Sequence, residues 1–266
     1  MIKTKIGVIS DLHLSNDTAN IKKAFSKLYD IDWLLLVGDI VDRPDAEQYD
    51  IFLSLVDEEF HDIPKYCVFG NHDNAKRDDT YYRQFEKKLN DEYLSFVDEC
   101  GAFYKRINEH IDLIGLNPVY YQKKFTFPDN GAQIDFLQKQ LDASLCKYHI
   151  VMCHPPLIAH NPQRTPDMES YIDAEQDTRL QKIIDENERV IFLSGHLHFS
   201  PGVEVDEARG HLYINDGSVC TTAPKSGKGK IQPGNITQLD IAENEISVIM
   251  KEIHTETVLV DSRYNF

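Results

Sequence analysis

Seven side chains able to ligate a metal ion lie in five short motifs along this chain: Asp11-x-His13, Gly38-Asp39, Gly70-Asn71-His72-Asp73, His154 and Gly195-His196-x-His198. The seven are Asp11, His13, Asp39, Asn71, His154, His196 and His198, and each offers an oxygen or an imidazole nitrogen. No cysteine joins them, so the set suits hard or borderline divalent metals rather than thiolate-bound structural zinc. It is also too large for one ion. A single catalytic ion takes fewer protein ligands and keeps a position open for water. Seven groups fit two ions about 3.5–4 Å apart that share a bridging carboxylate, an arrangement suited to displacement at a phosphoester.

Ligands this far apart in the chain meet only if the elements between them converge. Ile6–Ile9, Trp33–Val37, Tyr66–Phe69, Ile150–Cys153 and Val190–Leu193 are short, continuous apolar runs that read as strands buried on both faces. Ile21–Tyr29, Ala46–Glu59, Tyr81–Leu89, Ile134–Leu141 and Thr178–Asn187 read as amphipathic helices. Phe103–Ile107 with Ile111–Gly115, and Ile236–Ile241 with Glu245–Lys251, read as antiparallel pairs, and Leu212–Asn215 as a further strand. The pattern predicts one α/β domain over residues 1–266, with two facing mixed β-sheets and helices outside them. In that reading the strands at about 236–253 complete the second sheet, and 254–266 form a tail. Asp11, Asp39, Asn71, His154 and His196 fall at or just beyond predicted strand ends, where open α/β sheets bind their ligands.

The composition narrows the classes of function. Of 266 residues, 41% are hydrophobic, enough for a sizeable core, and no apolar run approaches the ~20 residues needed to span a bilayer. The first apolar run stops at Ser10-Asp11, inside a ligand motif, which is unlike a signal peptide. Five cysteines without a Cys-x-x-Cys pair point to buried, inert thiols in a reducing compartment, and so to a cytoplasmic protein. A net charge of −16 opposes binding to nucleic acid backbones.

Taken together and in order, the five motifs resemble the signature of the calcineurin-like metallophosphoesterase superfamily, with no departure at any ligand position. The resemblance implies a four-layer α/β/β/α sandwich and two divalent ions. Asp11, His13 and His198 would hold the first ion, Asn71, His154 and His196 the second, and Asp39 would bridge them. A carboxylate is the one side chain of the set able to bind two cations while offsetting their repulsion. The resemblance further implies in-line attack on phosphorus by a hydroxide between the ions. His72 would protonate the leaving oxygen, and the Asp42 carboxylate would orient His72, as suits a general acid. Arg43 matches an arginine that touches phosphate in related phosphatases, although Pro44 replaces the glycine usual after it. Asp73 is expected to orient a ligand from behind, and Asn215-Asp216-Gly217-Ser218 resembles the turn that closes such sites. Mixed oxygen and nitrogen ligation admits Mn, Fe, Zn, Co or Ni.

Two loops are candidates for choosing the substrate. Residues 155–173 follow a ligand and lack a helical or strand pattern, and within them His160 and Arg164 are candidate substrate contacts. Residues 225–230 form the one basic cluster in an acidic chain, without the spacing of a nucleotide P-loop. His61, His110, His149, His211 and His254 lie outside the motifs and read as surface or structural. The motif set resembles single-domain bacterial cyclic-nucleotide phosphodiesterases, which favours a small phosphoester such as a (cyclic) nucleotide. The motifs do not separate a phosphodiesterase from a phosphatase acting on a phosphomonoester or phosphoprotein. A nuclease is disfavoured by the charge. A binding scaffold on the same fold would have lost ligands or His72, and all are present.

Overall fold

The computed structural model describes residues 3–15, 17–74, 79–89, 97–160, 171–198, 201–220 and 234–266. Arg164, with 161–170 of the loop after His154, and the basic cluster 225–230 lie outside the described residues.

The apolar runs become the parallel centres of two sheets. β1 (Thr4–Ile9), β2 (Trp33–Val37) and β3 (Lys65–Val68) pair in parallel. β12 (Asn235–Ile241) adds antiparallel to β1, followed by β13 (Glu245–Glu252) and β14 (Val258–Asn265). The first sheet therefore runs β14-β13-β12-β1-β2-β3. In the second, β5 (Ile111–Leu116), β8 (Tyr148–Cys153), β9 (Val190–Ser194) and β11 (His211–Asn215) pair in parallel. Antiparallel β4 (Phe103–Arg106) and β10 (Gly202–Asp206) form its edges. A small hairpin of β6 (Val119–Tyr121) and β7 (Lys124–Thr126) stands apart.

Alternation along the strands explains the layering, because side chains of a pleated strand point to opposite faces in turn. Leu35 and Val37 of β2, Ile150 and Met152 of β8, and Ile191 and Leu193 of β9 fill the space between the sheets. Leu34 and Leu36 turn outward to α1 (Ala19–Phe25), α2 (Ala46–Phe60) and α3 (Thr80–Leu89). Val151, Cys153 and Phe192 turn outward to α4 (Pro128–Ala143) and α5 (Ala174–Asp185). The result is the expected four-layer α/β/β/α sandwich of two facing mixed sheets. Among the described residues no helix is long and apolar enough to cross a membrane.

One expectation is corrected. The tail expected at 254–266 is largely β14, whose Val260, Ser262 and Tyr264 sit opposite the buried Met250, Val248 and Ile246 of β13. Residues 236–253 complete the sheet of β1, because β12 lies against β1 itself. The helix expected at Ile134–Leu141 lies within α4, whose regular part starts after left-handed Asp129, Asn130 and Gly131.

Candidate metal centre

Parallel β1, β2 and β3 end together, and the loops that follow are laced to one another. Asp11 N–H donates to the Gly38 carbonyl (3.0 Å), Leu12 and His13 N–H to that of Asp39 (2.9 and 3.1 Å), and Leu14 N–H to that of Ile40 (3.1 Å). From the second sheet, Gly195 N–H donates to the His154 carbonyl (3.0 Å). The segment after β11 closes over the first loop: Val219 N–H reaches the Ser10 carbonyl and Cys220 N–H that of Asp11. Loops from both sheets thus meet at one end of the sandwich.

The backbone at this end is strained where the ligand candidates sit. Asp11 (φ 50°), His13 (44°), Asp39 (51°), His196 (70°) and His198 (53°) all occupy the left-handed region. That conformation costs on the order of 1–3 kcal/mol per non-glycine residue and persists only where the surroundings enforce it. The glycines beside them answer to space. A Cβ on Gly70 would lie 2.1 Å from Asp39 Oδ1, and one on Gly38, itself at φ +88°, would lie 2.5 Å from His154 Nδ1.

The side chains form two groups that share one member. Asp11, His13, Asp39 and His198 bring ligand atoms to within 4.8 Å of one another, and so do Asp39, His154 and His196. Asp39 Oδ2 stands at the join, 3.6 Å from His13 Nε2 and 3.3 Å from His154 Nε2. Asp11 Oδ1 lies 2.9 Å from His198 Nε2, and that nitrogen is 2.9 Å from His13 Nε2. Yet Asp11 Oδ1 and His154 Nε2 make no hydrogen bond, and neither does the buried Oδ1 of Asn71. The approaches to Asp11 Oδ1 and His154 Nε2 lack hydrogen-bond alignment, whereas His13 Nε2 and His198 Nε2 are within hydrogen-bond reach of each other. Buried polar atoms are ordinarily satisfied, so the unpartnered Asp11 Oδ1 and His154 Nε2, gathered around Asp39, fit an oxygen- and nitrogen-liganded cation site. His154 is set in place from behind by a 2.7 Å hydrogen bond between Nδ1 and the Val37 carbonyl, leaving Nε2 forward.

The titration of these groups shows the same demand for positive charge. Burial opposes ionisation of Asp11, but the charge of His198 outweighs it and brings the carboxyl down to about 2. Burial likewise opposes charge on His198, and Asp11 overrides it, raising the imidazole to about 11. Asp39 is pushed below the carboxylate range against its burial, chiefly by His154, which Asp39 in turn raises to about 9. Burial and the neighbouring His154 drive His196 down to about 3. Two histidine protons therefore serve as counter-charges to two buried carboxylates, a role that divalent cations fill more completely.

His72 and Asp42 stand beside this cluster, and one expectation about them changes. His72 Nδ1 bonds to the main-chain carbonyl of Asp42 at 2.8 Å, while the Asp42 carboxylate stays 3.9 Å away. The carboxylate is slightly closer to His13 Nδ1, at 3.8 Å. His72 is thus oriented by backbone, which a reading of side-chain types does not reveal. Its N–H donates to Asp39 Oδ1 (2.8 Å), and its ring meets that of His13 edge-on at 4.4 Å.

Of the candidate substrate residues, Arg43 and His160 are among those described. The Arg43 side chain is 85% exposed, with Asp42 Oδ2 3.7 Å away. His160 stacks on Tyr213 at 3.4 Å between ring centroids and faces Glu204 (3.3 Å). It lines a separate cavity of about 200 Å³ with Gly202, Val203 and Asn215, to which none of the seven ligand candidates contributes.

Supporting residues complete the site. Asp73, expected to orient a ligand, holds loop backbone instead: it accepts from Gly70 N–H (2.9 Å), Ile40 N–H (3.2 Å) and the Tyr49 hydroxyl (2.9 Å), beside Asp39. Ser10 was not anticipated; its hydroxyl bridges Asp11 Oδ2 (2.5 Å) and Asp216 Oδ1 (2.7 Å). Nor was Asn117, at the end of β5, which accepts from Phe69 N–H (2.8 Å) and so ties the loop before Asn71 to the second sheet. Phe125 of β7 packs edge-on against His196 (5.1 Å) and His154 (6.1 Å), an apolar wall no motif announces. Cys220, expected to be inert and buried, is half-buried with Sγ 3.7 Å from His198 Nδ1; Cys100 and Cys146 are half-buried too.

Comparison with known proteins decides the family. The profile of the calcineurin-like phosphoesterases matches residues 4–200. This chain belongs to the calcineurin-like phosphoesterase family. The family uses a dinuclear divalent metal centre. The probable glycerophosphodiester phosphodiesterase GpdQ of Arcobacter nitrofigilis is 26% identical over 168 residues, which span 63% of this chain and 56% of that protein. The match thus reaches little more than half that relative's length. A dimetal phosphatase from Danio rerio superposes with a TM-score of 0.68 at 13% identity, over 99% of each chain. The purple acid phosphatase PPD1 of yellow lupin (Lupinus luteus) seeds superposes at 0.67 with 12% identity, over 99% of this chain and 54% of that one. At these identities the structural likeness is one of fold.

Proposed function

We propose that this phosphoesterase binds two divalent cations, one among Asp11, His13 and His198 and one among Asn71, His154 and His196, with Asp39 bridging, and hydrolyses a small phosphodiester. The observation that carries the reading is the position of Asp39 Oδ2, shared between the two ligand groups. The relative described as a probable glycerophosphodiester phosphodiesterase supports the diester over the monoester; a (cyclic) nucleotide is a diester of the same size class. When bound, such a pair of cations lowers the pKa of water at the site and neutralises phosphoryl oxygens.

The remaining steps belong to the chain. Asp39 meets both groups through Oδ2 while Oδ1 takes the His72 N–H, so the bridging carboxylate and the loop carrying His72 are registered to each other. The Asp42 carbonyl can only accept, so His72 Nδ1 carries a proton. Nε2 is then the atom left to pass a proton to the departing alkoxide, His72 entering that step as the imidazolium and leaving it neutral with its proton on Nδ1. His72 is partly exposed, as a group that meets substrate must be. Phe125 excludes water from the flank of His154 and His196, which strengthens electrostatic interactions there.

The test is metal content together with a substrate panel. With Mn²⁺ present, the wild type is expected to hold two ions per chain and to hydrolyse bis-p-nitrophenyl phosphate faster than p-nitrophenyl phosphate. Asp39→Ala should lose both ions and at least about 100-fold in rate. Retention of two ions and activity by Asp39→Ala would sink the bridging assignment. Preference for the monoester would sink the diester reading while leaving the metal assignment standing.

A further inference from the structure

The first sheet ends in an edge for which hydrolysis has no use. β14 is eight residues long, against four in β3, five in β10 and four in β4, the other edges of the two large sheets. It is paired on one side only, to β13. A long edge offers a row of unpaired backbone N–H and C=O groups to any strand that fits, and proteins usually blunt it with lysine, proline or a bulge. β14 has one irregularity, at Leu259, since Met250 pairs with Val260 and Lys251 with Val258. Beyond it Val260–Asn265 run in unbroken register against β13 and contain neither lysine nor proline.

The outer face of this run carries opposite charges two residues apart. Val260, Ser262 and Tyr264 are half-buried, while Asp261, Arg263 and Asn265 are exposed. Val258 and Leu259 add exposed apolar surface at 51% and 40%. Among the described residues, no ion pair or hydrogen bond engages the Asp261 or Arg263 side chain.

We propose that β14 pairs antiparallel with β14 of a second copy about a two-fold axis through Ser262, joining two six-stranded sheets into one. In an antiparallel pair, opposed residues share a face, so such an axis passes through a residue rather than between two. An axis at Ser262 sets Asp261 opposite Arg263 of the partner subunit, and symmetry repeats the pair. On the other face Val260 meets Tyr264 of the partner subunit, a favourable aliphatic–aromatic match. The alternatives lose this complementarity. Axes at Asp261 or Arg263 oppose like charges, and axes at Val260 or Tyr264 leave neither charge facing its opposite. β14 lies three strands from β1, roughly 14 Å across the sheet, so the interface stands clear of the metal centre.

Sedimentation velocity over a micromolar concentration series tests this on the whole chain. The wild type is expected to be dimeric. Arg263→Asp and Asp261→Arg each set like charges opposite one another twice per dimer, and should weaken the dimer by at least about tenfold. The double variant Asp261→Arg/Arg263→Asp restores opposite charges and should restore the dimer. Because rescue requires a folded β14, it separates loss of pairing from loss of structure, and circular dichroism confirms the fold of each single variant. A monomeric wild type, or a dimer that none of the three variants alters, would overturn the proposal.

Discussion

At the level of single residues, the chemistry turns on a few atoms whose surroundings leave them one role. His72 is the clearest. Its Nδ1 is spoken for by a carbonyl, so Nε2 is the atom available for proton transfer. A proton donor matters most when the leaving group is basic, and general acids typically contribute 10²–10⁴-fold. His72→Ala should therefore cost about 100-fold or more in kcat/KM on an alkyl diester such as glycerophosphocholine. On bis-p-nitrophenyl phosphate, whose leaving group needs little protonation, the loss should stay within about tenfold. Equal losses on the two substrates would remove His72 from the general-acid role. Asp42→Asn keeps the orienting carbonyl and should reproduce neither pattern. The sequence reading placed His72 and Asp42 as neighbours but chose the wrong oxygen. Side-chain types suggest a carboxylate partner, whereas the partner is a backbone atom whose direction depends on the loop's conformation.

At the level of elements, the site is the common end of β1, β2, β3, β8 and β9, held by turns that defy backbone preference. The hydrogen bonds between the β1 and β2 loops and the anchoring of Ile40 and Gly70 by Asp73 oppose that strain. α5 contributes a second fastening. Asp177 in its first turn accepts the Ile158 N–H at 3.0 Å, tying the segment that follows His154 to the helix. Burial raises the Asp177 carboxyl to about 6, against the pull of that hydrogen bond. Because the folded-state pKa exceeds the ordinary 3.8, folding favours the protonated form. The penalty is absent below about pH 4, grows between pH 4 and 6, and is constant above pH 6. Asp177→Asn retains an acceptor for Ile158 without the charge. It should stabilise the protein by about 1–3 kcal/mol at pH 7–8 and by nothing at pH 4. Urea titrations at the two pH values check this, and a gain of equal size at both would refute the burial penalty.

At the level of the whole molecule, two sheets meet at a pocket that concentrates carboxylates in a chain of net charge −16. Ions that bind only the folded chain stabilise it by mass action, about 2.7 kcal/mol per site at a hundredfold excess over Kd. For two sites in a domain of this size, the melting temperature should rise by roughly 10–20 °C between chelated and Mn²⁺-saturated protein. Differential scanning calorimetry in EDTA and in excess Mn²⁺ measures this directly. A rise below about 2 °C would show that the pocket does not hold the ions in the folded state.

The sequence by itself determined the candidate ligands, their order and the strands that carry them. Apolar runs, strand-end positions and residue types are local, and burial on both faces leaves their signature in any single stretch of chain. It also carried the fold class, because alternating strands and helices admit few layer arrangements. Tertiary structure decided what depends on direction and on neighbours distant in sequence. Asp39 stands where two groups of ligands meet because Gly38 and Gly70 leave room for it and Asp73 holds the loop backbone beside it. The β6–β7 hairpin delivers Phe125 to the site although its strands are three residues each, too short for a periodic signal. β14 could not be told from a tail because only half of its surface is covered, and the strand that covers it, β13, is itself positioned by β12 against β1.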